Sequence, residues 1–481
     1  MSSTEAEAPA VRKFPLTVLI MMVVGSMVGA GVFSIPRNFA ETAGVFGGLS
    51  AWVVAGAGML MLALVFQTLA VRKPDLNAGV YAYAKAGFGE FPGFFSAFGY
   101  WASACVGNVS YWVLVKSTLG KALPFFGEGN TIIAVAVSSV GIWLFHTLIM
   151  RGVQEAAIIN RIVTIAKIIP IVLFIVLVAV LFKADVFRAN LWGGAHPSPS
   201  ALYEQLRDTM LITVFVFLGV EGASVYSRYA KRREDVGRAT VIGFLCVLVL
   251  FVLVSVLSYG ILPQSELSGL QQPSMAGVLE AAVGRWGAVL IGAGLIISVL
   301  GAYLAWTLMA AEVLFVAAKD RDMPAWLGRT NAVGVPRGAM IITTALIQLV
   351  LLVTLFSDDA FSFTLKLCSS LSLIPYLLAA GYALLIGVRR ETYDVNPTGL
   401  GRELVIAGLA TLYTAFLIYA AGLKFLLLSC IIYLPGVILF YRVRREQHRR
   451  FLGPAEAVLF VLVLAGAVVG VVGLANGAIT I

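Results

Sequence analysis

The sequence predicts an all-α integral membrane protein, and three observations lead to this fold class. Apolar residues make up 60% of the 481-residue chain and charged residues only 12%, whereas soluble domains are about 25% charged. Apolar stretches of about 20 residues, the length at which a helix crosses the hydrocarbon core, recur along the whole chain. The polar connections between these stretches are too short to contain a soluble domain.

The apolar stretches predict about thirteen transmembrane helices, which are called spans 1 to 13 here. Span 8 is long enough that part of it is expected to leave the membrane. A tail, residues 1–13, precedes span 1, and its Glu5 and Glu7 do not fit the basic start of a signal peptide, so we expect it to be retained. The approximate limits of the spans are 16–40, 45–70, 93–118, 130–150, 157–182, 205–230, 239–262, 286–318, 337–357, 361–388, 402–421, 424–441 and 455–479.

The basic residues predict the orientation of the chain. Its formal net charge is +9, from 34 Lys and Arg against 25 Asp and Glu. With the N-terminus in the cytoplasm, 24 of these 34 basic residues lie in cytoplasmic segments and six lie outside, as the positive-inside rule requires. The basic excess therefore indicates topology in a lipid bilayer, and we expect no nucleic-acid partner.

The sequence contains no pattern typical of a metal or cofactor site. Its four cysteines lie in apolar stretches without paired spacing, and its three histidines are scattered. We therefore expect no disulfide framework, no metal and no cofactor.

Two spans contain glycines at a depth where a membrane helix is normally continuous. Span 1 reads "VVGSMVGAGVFSIPR" over 23–37, and span 6 reads "FVFLGVEGASVYS" over 215–227, where two glycines flank Glu221. Interrupted helices at matching places in two inverted halves are the best sequence indication of a secondary transporter's binding site. Close helix packing through Gly25-x-x-x-Gly29 is the alternative interpretation.

An interrupted helix offers groups that suit an amino acid. The free N–H groups and partial positive charge at the start of a half-helix favour a carboxylate. The carbonyl groups of the unwound turn can accept hydrogen bonds from an ammonium group. The glycine clusters therefore predict an amino acid binding site near the middle of the membrane.

Four separated motifs resemble, in order, those of the amino acid–polyamine–organocation superfamily. They are "GSMVGAGVFSIPRNFAETAG", "NAGVYAYAKAGFGEFPGFFSAFGYW", "FVFLGVEGASVYS" and "KDRDMPAWLGRTNAVGVPRG". The resemblance implies the LeuT-type five-plus-five inverted repeat with helices 1 and 6 broken. It places the first repeat at 14–200, the second at 201–390 and peripheral helices 11 to 13 at 391–481.

Within this superfamily the chain is most similar to the basic amino acid/polyamine antiporters, and among them to bacterial arginine/ornithine antiporters. That resemblance implies exchange of arginine for ornithine by alternating access, with lysine as a further candidate substrate. It also implies the bacterial inner membrane as the location and a homodimer as a candidate assembly.

The resemblance implies which residues bind the substrate. The break in span 1, with Gly25, Ser26, Met27 and Gly29, would hold the α-carboxylate and the amine. In span 3, Asn108 would contact the substrate side chain, with Tyr111 one turn deeper. The aromatic position of span 6 is Phe215, and Trp306 in span 8 would stack on the guanidinium. Three alternatives stay open: Ser26 bonding back to its own helix, Asn108 joining two helices and Trp306 serving in packing alone.

Four further residues are candidates for gating or coupling. Glu221 and Glu312 lie within spans, where an ionised side chain costs at least about 2.5 kcal/mol, so both are functional candidates. The resemblance implies that Lys167 takes the place of a sodium ion and that Tyr376, after Pro375, belongs to a gate. Alternatively, Lys167 reaches the inner membrane surface, and each glutamate is only a partner to a buried base. The serines of span 10 cannot be ranked from the sequence.

The second functional hypothesis is a proton-coupled symporter of basic amino acids or polyamines, with Lys167 and Glu312 handling the proton. An intramembrane enzyme is disfavoured, because the chain has no H-E-x-x-H motif and its nearest match to Gly-x-Ser-Gly ends in Val225. A non-transporting sensor would be expected to carry a long cytoplasmic tail.

Overall fold

The computed structural model describes residues 15–76, 79–152, 156–194, 198–221, 233–394 and 398–480, without the side chains of 156–162, 164–165, 233 and 234. Over these residues the chain is helical, with one isolated bridge between Thr330 and Pro336. The prediction of an all-α protein is confirmed. The predicted tail, residues 1–13, lies outside the described residues.

The described helices are numbered α1 to α18 in chain order. Their limits are α1 Leu16–Met27, α2 Ile35–Thr42, α3 Val45–Arg72, α4 Val80–Phe88, α5 Glu90–Gly120, α6 Ile132–Met150, α7 Ala156–Val180, α8 Ala184–Ala189, α9 Pro199–Phe217, α10 Arg233–Ser258, α11 Gln264–Ser268, α12 Ser274–Val283, α13 Arg285–Lys319, α14 Arg337–Val353, α15 Ala360–Arg389, α16 Leu400–Tyr433, α17 Gly436–Glu446 and α18 Pro454–Ala475.

The described helices have the length and composition of membrane spans. Within the described ranges, eight helices or fused helix pairs are long and apolar enough to cross a bilayer, and the bent pair α1–α2 would be a ninth. Their outward faces carry large apolar side chains such as Val458, Leu462 and Val469. These faces suit lipid tails, so the chain is a multi-span membrane protein. The count of thirteen spans stays a prediction.

Two features of the helices bear on the predicted spans 8, 11 and 12. The α13 helix has 35 residues, a length of about 52 Å against a hydrocarbon core of about 30 Å. This length is in line with the expectation that part of span 8 leaves the membrane, which stays a prediction. In α16 the helix is interrupted at Gly422, whose φ of 71° is non-helical, and this is where the sequence separates spans 11 and 12.

The predicted span 1 is interrupted in the structure. The α1 helix ends at Met27, a short 3₁₀ helix covers Gly31–Ser34, and α2 begins at Ile35. The segment Gly31–Thr42 is bent by 48° relative to α1. Gly29 and Gly31 reduce helix propensity at the bend, and Pro36 is favourable only in the first turn of a new helix. The end of α1 from Gly25 and the residues that follow it as far as Ser34 are together called the first break.

The helix of the predicted span 6 ends before the predicted limit of the span. The α9 helix ends at Phe217, and Gly219 follows with a φ of 101°, a conformation that favours glycine. Residues 218–221 are called the second break. The later part of this motif, from Gly222 to 232, lies outside the described residues.

The two breaks lie beside a buried central helix. From Phe91 to Ser117, nearly every residue of α5 is buried, as expected for a helix that is apolar on all sides. It packs against α13, α14 and α15. The α9 helix packs against α3 and α15, and α1 packs against α10. This arrangement brings α5, α13 and α15 to both breaks.

Candidate substrate-binding site

A small cavity lies at the point where the two breaks meet α5, α13 and α15. Its volume is about 30 Å³, room for no more than about two water molecules. An amino acid therefore requires the walls to move apart. The lining residues are Ser26, Met27, Gly29, Ala30, Gly31, Ser103, Ala104, Gly107, Tyr111, Phe215, Val216, Leu218, Trp306 and Cys368.

The two breaks approach each other through glycines. A Cβ atom at Gly219 would lie 2.5 Å from the carbonyl oxygen of Ser26, and one at Gly31 would lie 2.7 Å from Val216 Cγ1. Such distances are shorter than side-chain contacts allow. Gly31 and Gly219 thus allow close packing at the breaks, whereas a Cβ at Gly29 would meet only Tyr111 Oη at 3.5 Å, and packing through Gly25-x-x-x-Gly29 stays an alternative.

Ser26 connects the two breaks by hydrogen bonds. Its hydroxyl lies 2.8 Å from the carbonyl oxygen of Val23 and 3.0 Å from that of Gly219. The first contact is the bond to its own helix that the sequence left open, and the second crosses to the second break. The predicted residues Ser26, Met27 and Gly29 all line the cavity.

Lys167 of α7 binds the end of α1. Its side chain is buried, at 3% exposure, and its Nζ donates to the carbonyl oxygen of Gly25 at 2.7 Å. The last carbonyl groups of a helix lack intrahelical partners and carry partial negative charge, which a cation stabilises. Lys167 is therefore a partner of the first break. The predicted residue Gly25 acts through this carbonyl and does not line the cavity.

The carboxylate of Glu221 joins two helices, α5 and α15, to the second break. Tyr100 of α5 donates to Glu221 Oε1 at 2.5 Å, and Tyr376 of α15 donates to Oε2 at 2.8 Å. The backbone N–H of Gly219 also donates to Oε2, at 3.1 Å. Glu221 is only 4% exposed. Two predicted gating residues, Glu221 and Tyr376, therefore meet directly.

Three predicted aromatic residues line the cavity from different helices. They are Tyr111 of α5, Phe215 of α9 and Trp306 of α13. Phe215 also packs edge-on against Phe361 with the ring centroids 6.4 Å apart. A cationic side chain between aromatic faces is stabilised by the negative charge of their π systems.

Asn108 lies behind the cavity wall. It is fully buried, and its Nδ2 donates to Thr307 Oγ1 at 3.0 Å. Within the described part of the chain, its Oδ1 has no hydrogen-bond partner. This hydrogen bond joins α5 to α13 beside Trp306. It is the bond between two helices that the sequence offered as the alternative role of Asn108. Contact of Asn108 with the substrate stays a prediction.

Glu312 is exposed on α13 and does not line the cavity. Its role in gating or coupling also stays a prediction.

Several lining residues were not predicted from the sequence. In α15, Cys368 lines the cavity. The candidate serines of this helix form hydrogen bonds to other groups. Ser369 donates to Leu211 O at 2.7 Å, and Ser370 donates to Phe425 O at 3.2 Å. Ser372 lies 2.5 Å from Ser103 of α5. The unpredicted lining residues are Ala30, Gly31, Ser103, Ala104, Gly107, Val216, Leu218 and Cys368.

Polar contacts bridge the elements beyond the cavity on both sides. On one side Arg37 of α2 lies 2.6 Å from Glu41 and 2.6 Å from Asp359, which caps α15. On the other side Lys85 lies 2.6 Å from Asp322 in the loop after α13. Burial holds the pKa of Asp322 above its usual range, although Lys85 opposes this shift. These contacts join α2 to α15 and α4 to the loop after α13.

A multi-span membrane protein with a small cavity between two helix breaks has the architecture expected of a carrier. The chain belongs to the amino acid permease family, because the model of that family, described as "Amino acid permease", matches residues 16–424. The family expected from the motifs is confirmed.

Proteins that are similar to this chain over most of its length are named as transporters. An arginine/ornithine antiporter of Pseudomonas aeruginosa is 49% identical, over 98% of this chain and 99% of the relative. An L-lysine transport protein of Corynebacterium glutamicum is 39% identical, over 100% and 99%. An arginine/agmatine antiporter of Chlamydia abortus is 37% identical, over 86% and 87%. The chain is thus similar to carriers of basic substrates.

Replacing the glycine of the second break tests the close approach of the two breaks. We expect Gly219→Ala to lower the thermal unfolding temperature of the purified protein and to slow transport. A side chain with positive φ costs about 1–2 kcal/mol, and its Cβ would clash with Ser26. The control is Gly408→Ala in α16, where no atom lies within 4 Å of the added Cβ. Equal unfolding temperatures and transport rates for both variants would contradict the close approach.

Replacing Lys167 tests the support of the first break. Lys167→Met leaves the carbonyl of Gly25 without its donor, and an unsatisfied buried group costs about 1–3 kcal/mol. We expect a lower unfolding temperature and slower exchange than in the parent protein. Lys183→Met is the control, because Lys183 is exposed just beyond the other end of α7. If Lys167→Met behaves like this control in both assays, Lys167 does not support the break.

Proposed function

We propose that the chain is a secondary transporter that exchanges cationic amino acids, with arginine taken up and ornithine released. The observation that carries this proposal is the central cavity, where two interrupted helices meet an aromatic wall. The 49% identity to an arginine/ornithine antiporter over nearly the full chain supports the same substrate pair. Lysine is a further candidate substrate, since a relative at 39% identity is an L-lysine transport protein.

The proposed architecture is the five-plus-five inverted repeat with about thirteen spans. The first repeat would cover 14–200 and the second 201–390, with peripheral helices in 391–481. The interruptions after Met27 and after Phe217 support this division, because each would then occur in the first helix of its repeat. A cytoplasmic N-terminus follows from the distribution of Lys and Arg. The bacterial inner membrane is the proposed location, and a homodimer is a candidate assembly.

The backbone at the first break is suited to the common part of an amino acid. Ala30 and Gly31 line the cavity at the start of the second half-helix. The first N–H groups of a helix lack intrahelical partners and favour an anion, so the α-carboxylate would bind there. The α-ammonium would then lie near the carbonyl oxygens at the end of α1.

The aromatic wall would select the cationic side chain. The described cavity lining contains no carboxylate, so a guanidinium or ammonium group would be held by π faces and hydrogen bonds. Phe215 and Trp306 come from different helices, and their relative movement would widen the cavity. Arginine and ornithine carry the same charge, so an exchange of one for the other is electrically neutral.

The exchange is tested with the purified protein in liposomes. Vesicles loaded with ornithine should take up labelled arginine, and empty vesicles should not. An imposed proton gradient or membrane potential should leave the rate unchanged. Uptake into empty vesicles driven by a proton gradient would instead support the symporter hypothesis, with Lys167 and Glu312 as the proton-handling groups. Failure to take up any cationic amino acid would contradict the proposed substrates.

Replacing Trp306 tests the role of the aromatic wall. Cation–π stacking in a desolvated site is worth about 2 kcal/mol, so Trp306→Ala should raise the KM for arginine about 30-fold. Trp306→Phe should retain part of the affinity. The control is Trp286→Ala, on the same helix but exposed. A KM for Trp306→Ala equal to that of the control would leave Trp306 as a packing residue.

A further inference from the structure

A second and larger cavity lies at the opposite end of α3 from the first break. Its volume is about 560 Å³, and it is bounded by the end of α3 and the start of α16. Its walls include Leu64 and Val71 from α3 and Arg402 and Ile406 from α16. None of these residues lines the central cavity. The function proposed above does not involve this space, which is called the inner cavity here.

The walls of the inner cavity combine polar residues, including Gln67 and Thr68 of α3, with the apolar side chains of Leu64, Val71 and Ile406. Arg402 and Thr398 lie at the beginning of α16, whereas Ile406 is one turn further along, about 6 Å deeper. On α3, Leu64 is eight residues before the terminal Arg72, about 12 Å deeper. Leu64 and Ile406 give the deeper part of this mixed wall an apolar surface. A molecule with a charged head and a hydrocarbon chain matches both parts.

The polar end of the inner cavity is positively charged. Arg402 is exposed, and within the described ranges it has no ion-pair partner. Arg72 pairs with Glu403, at 2.5 Å from Nε to Oε2, and lies 3.6 Å above the ring of Tyr393. Tyr393 in turn donates to Glu403 at 2.6 Å. The charges of Arg72 and Glu403 cancel within their ion pair. Arg402 therefore supplies the net positive charge of the polar end.

We propose that the inner cavity binds an anionic phospholipid of the cytoplasmic leaflet. The phosphate would lie against Arg402 at the start of α16, and one acyl chain would follow Leu64, Val71 and Ile406. Basic pockets between helices at the cytoplasmic surface are suited to anionic headgroups. The choice of leaflet rests on the orientation proposed above, whereas the binding itself does not depend on the transported substrate.

The position of the inner cavity links this lipid to the transporter core. The α16 helix packs against α3, α9 and α15, and α9 leads directly into the second break. A lipid between α3 and α16 therefore stabilises the contact between the peripheral helices and the core. Binding should raise the thermal unfolding temperature whether or not a substrate is present.

The test measures lipid binding to the full-length protein by native mass spectrometry. Phosphatidylglycerol is titrated against the parent protein, Arg402→Gln and the control Arg450→Gln, which removes an exposed arginine from another loop. One basic residue at the surface is worth about 1 kcal/mol, so Arg402→Gln should weaken binding of the tightest lipid about five-fold. The control should bind like the parent protein, and phosphatidylcholine should bind more weakly throughout.

Two further arms separate the lipid from other ligands. Ile406→Trp fills the apolar part of the inner cavity without changing the charge, and it should also weaken phosphatidylglycerol binding. Inorganic phosphate at millimolar concentration should neither raise the unfolding temperature nor displace the lipid. Equal binding by the parent protein and Arg402→Gln would overturn the proposal. Displacement by phosphate, with no effect of Ile406→Trp, would identify a soluble-anion site and overturn it as well.

Discussion

Backbone groups inside a bilayer must be hydrogen-bonded within the protein, and the arrangement of the central site depends on this constraint. An interrupted helix frees carbonyl and N–H groups where water is scarce. Lys167 satisfies the carbonyl of Gly25, and Ser26 reaches the carbonyl of Gly219. The N–H of the same Gly219 donates to Glu221. Each break is therefore held by a polar side chain, and the groups left over are available to an amino acid.

The same contacts connect the site to the helices that must move. Glu221 is held by hydroxyls from α5 and α15, so the second break cannot shift without disturbing both helices. Arg37 and Asp359 join α2 to α15 on one side of the cavity, and Lys85 and Asp322 join other elements on the opposite side. The cavity between these contacts has a volume of about 30 Å³, which is less than an amino acid occupies. Alternating access would release one set of contacts at a time, and a bound ligand would shift the balance between the states.

The sequence predicts the fold class and the breaks better than it predicts the cavity lining. Glycine weakens a helix, and the helices end near Gly29 and Gly219. Other glycines, such as Gly107, lie within a continuous helix, so a cluster is more informative than a single glycine. The face that a buried helix turns to a cavity has no such signal. Since α5 is buried on all sides, periodicity cannot distinguish Ser103 on the cavity from Asn108 behind it. Cys368 was missed for the same reason, because its neighbouring serines are equally buried.

The most direct test of the central site uses the reactivity of Cys368. A variant with Cys105, Cys246 and Cys430 replaced by alanine retains a single thiol in the cavity lining. Its labelling by a small uncharged maleimide is followed by mass spectrometry. If substrate binds at the two breaks, saturating arginine or ornithine slows the labelling and glutamate leaves it unchanged. Labelling at one rate under all these conditions would contradict a substrate site in this cavity.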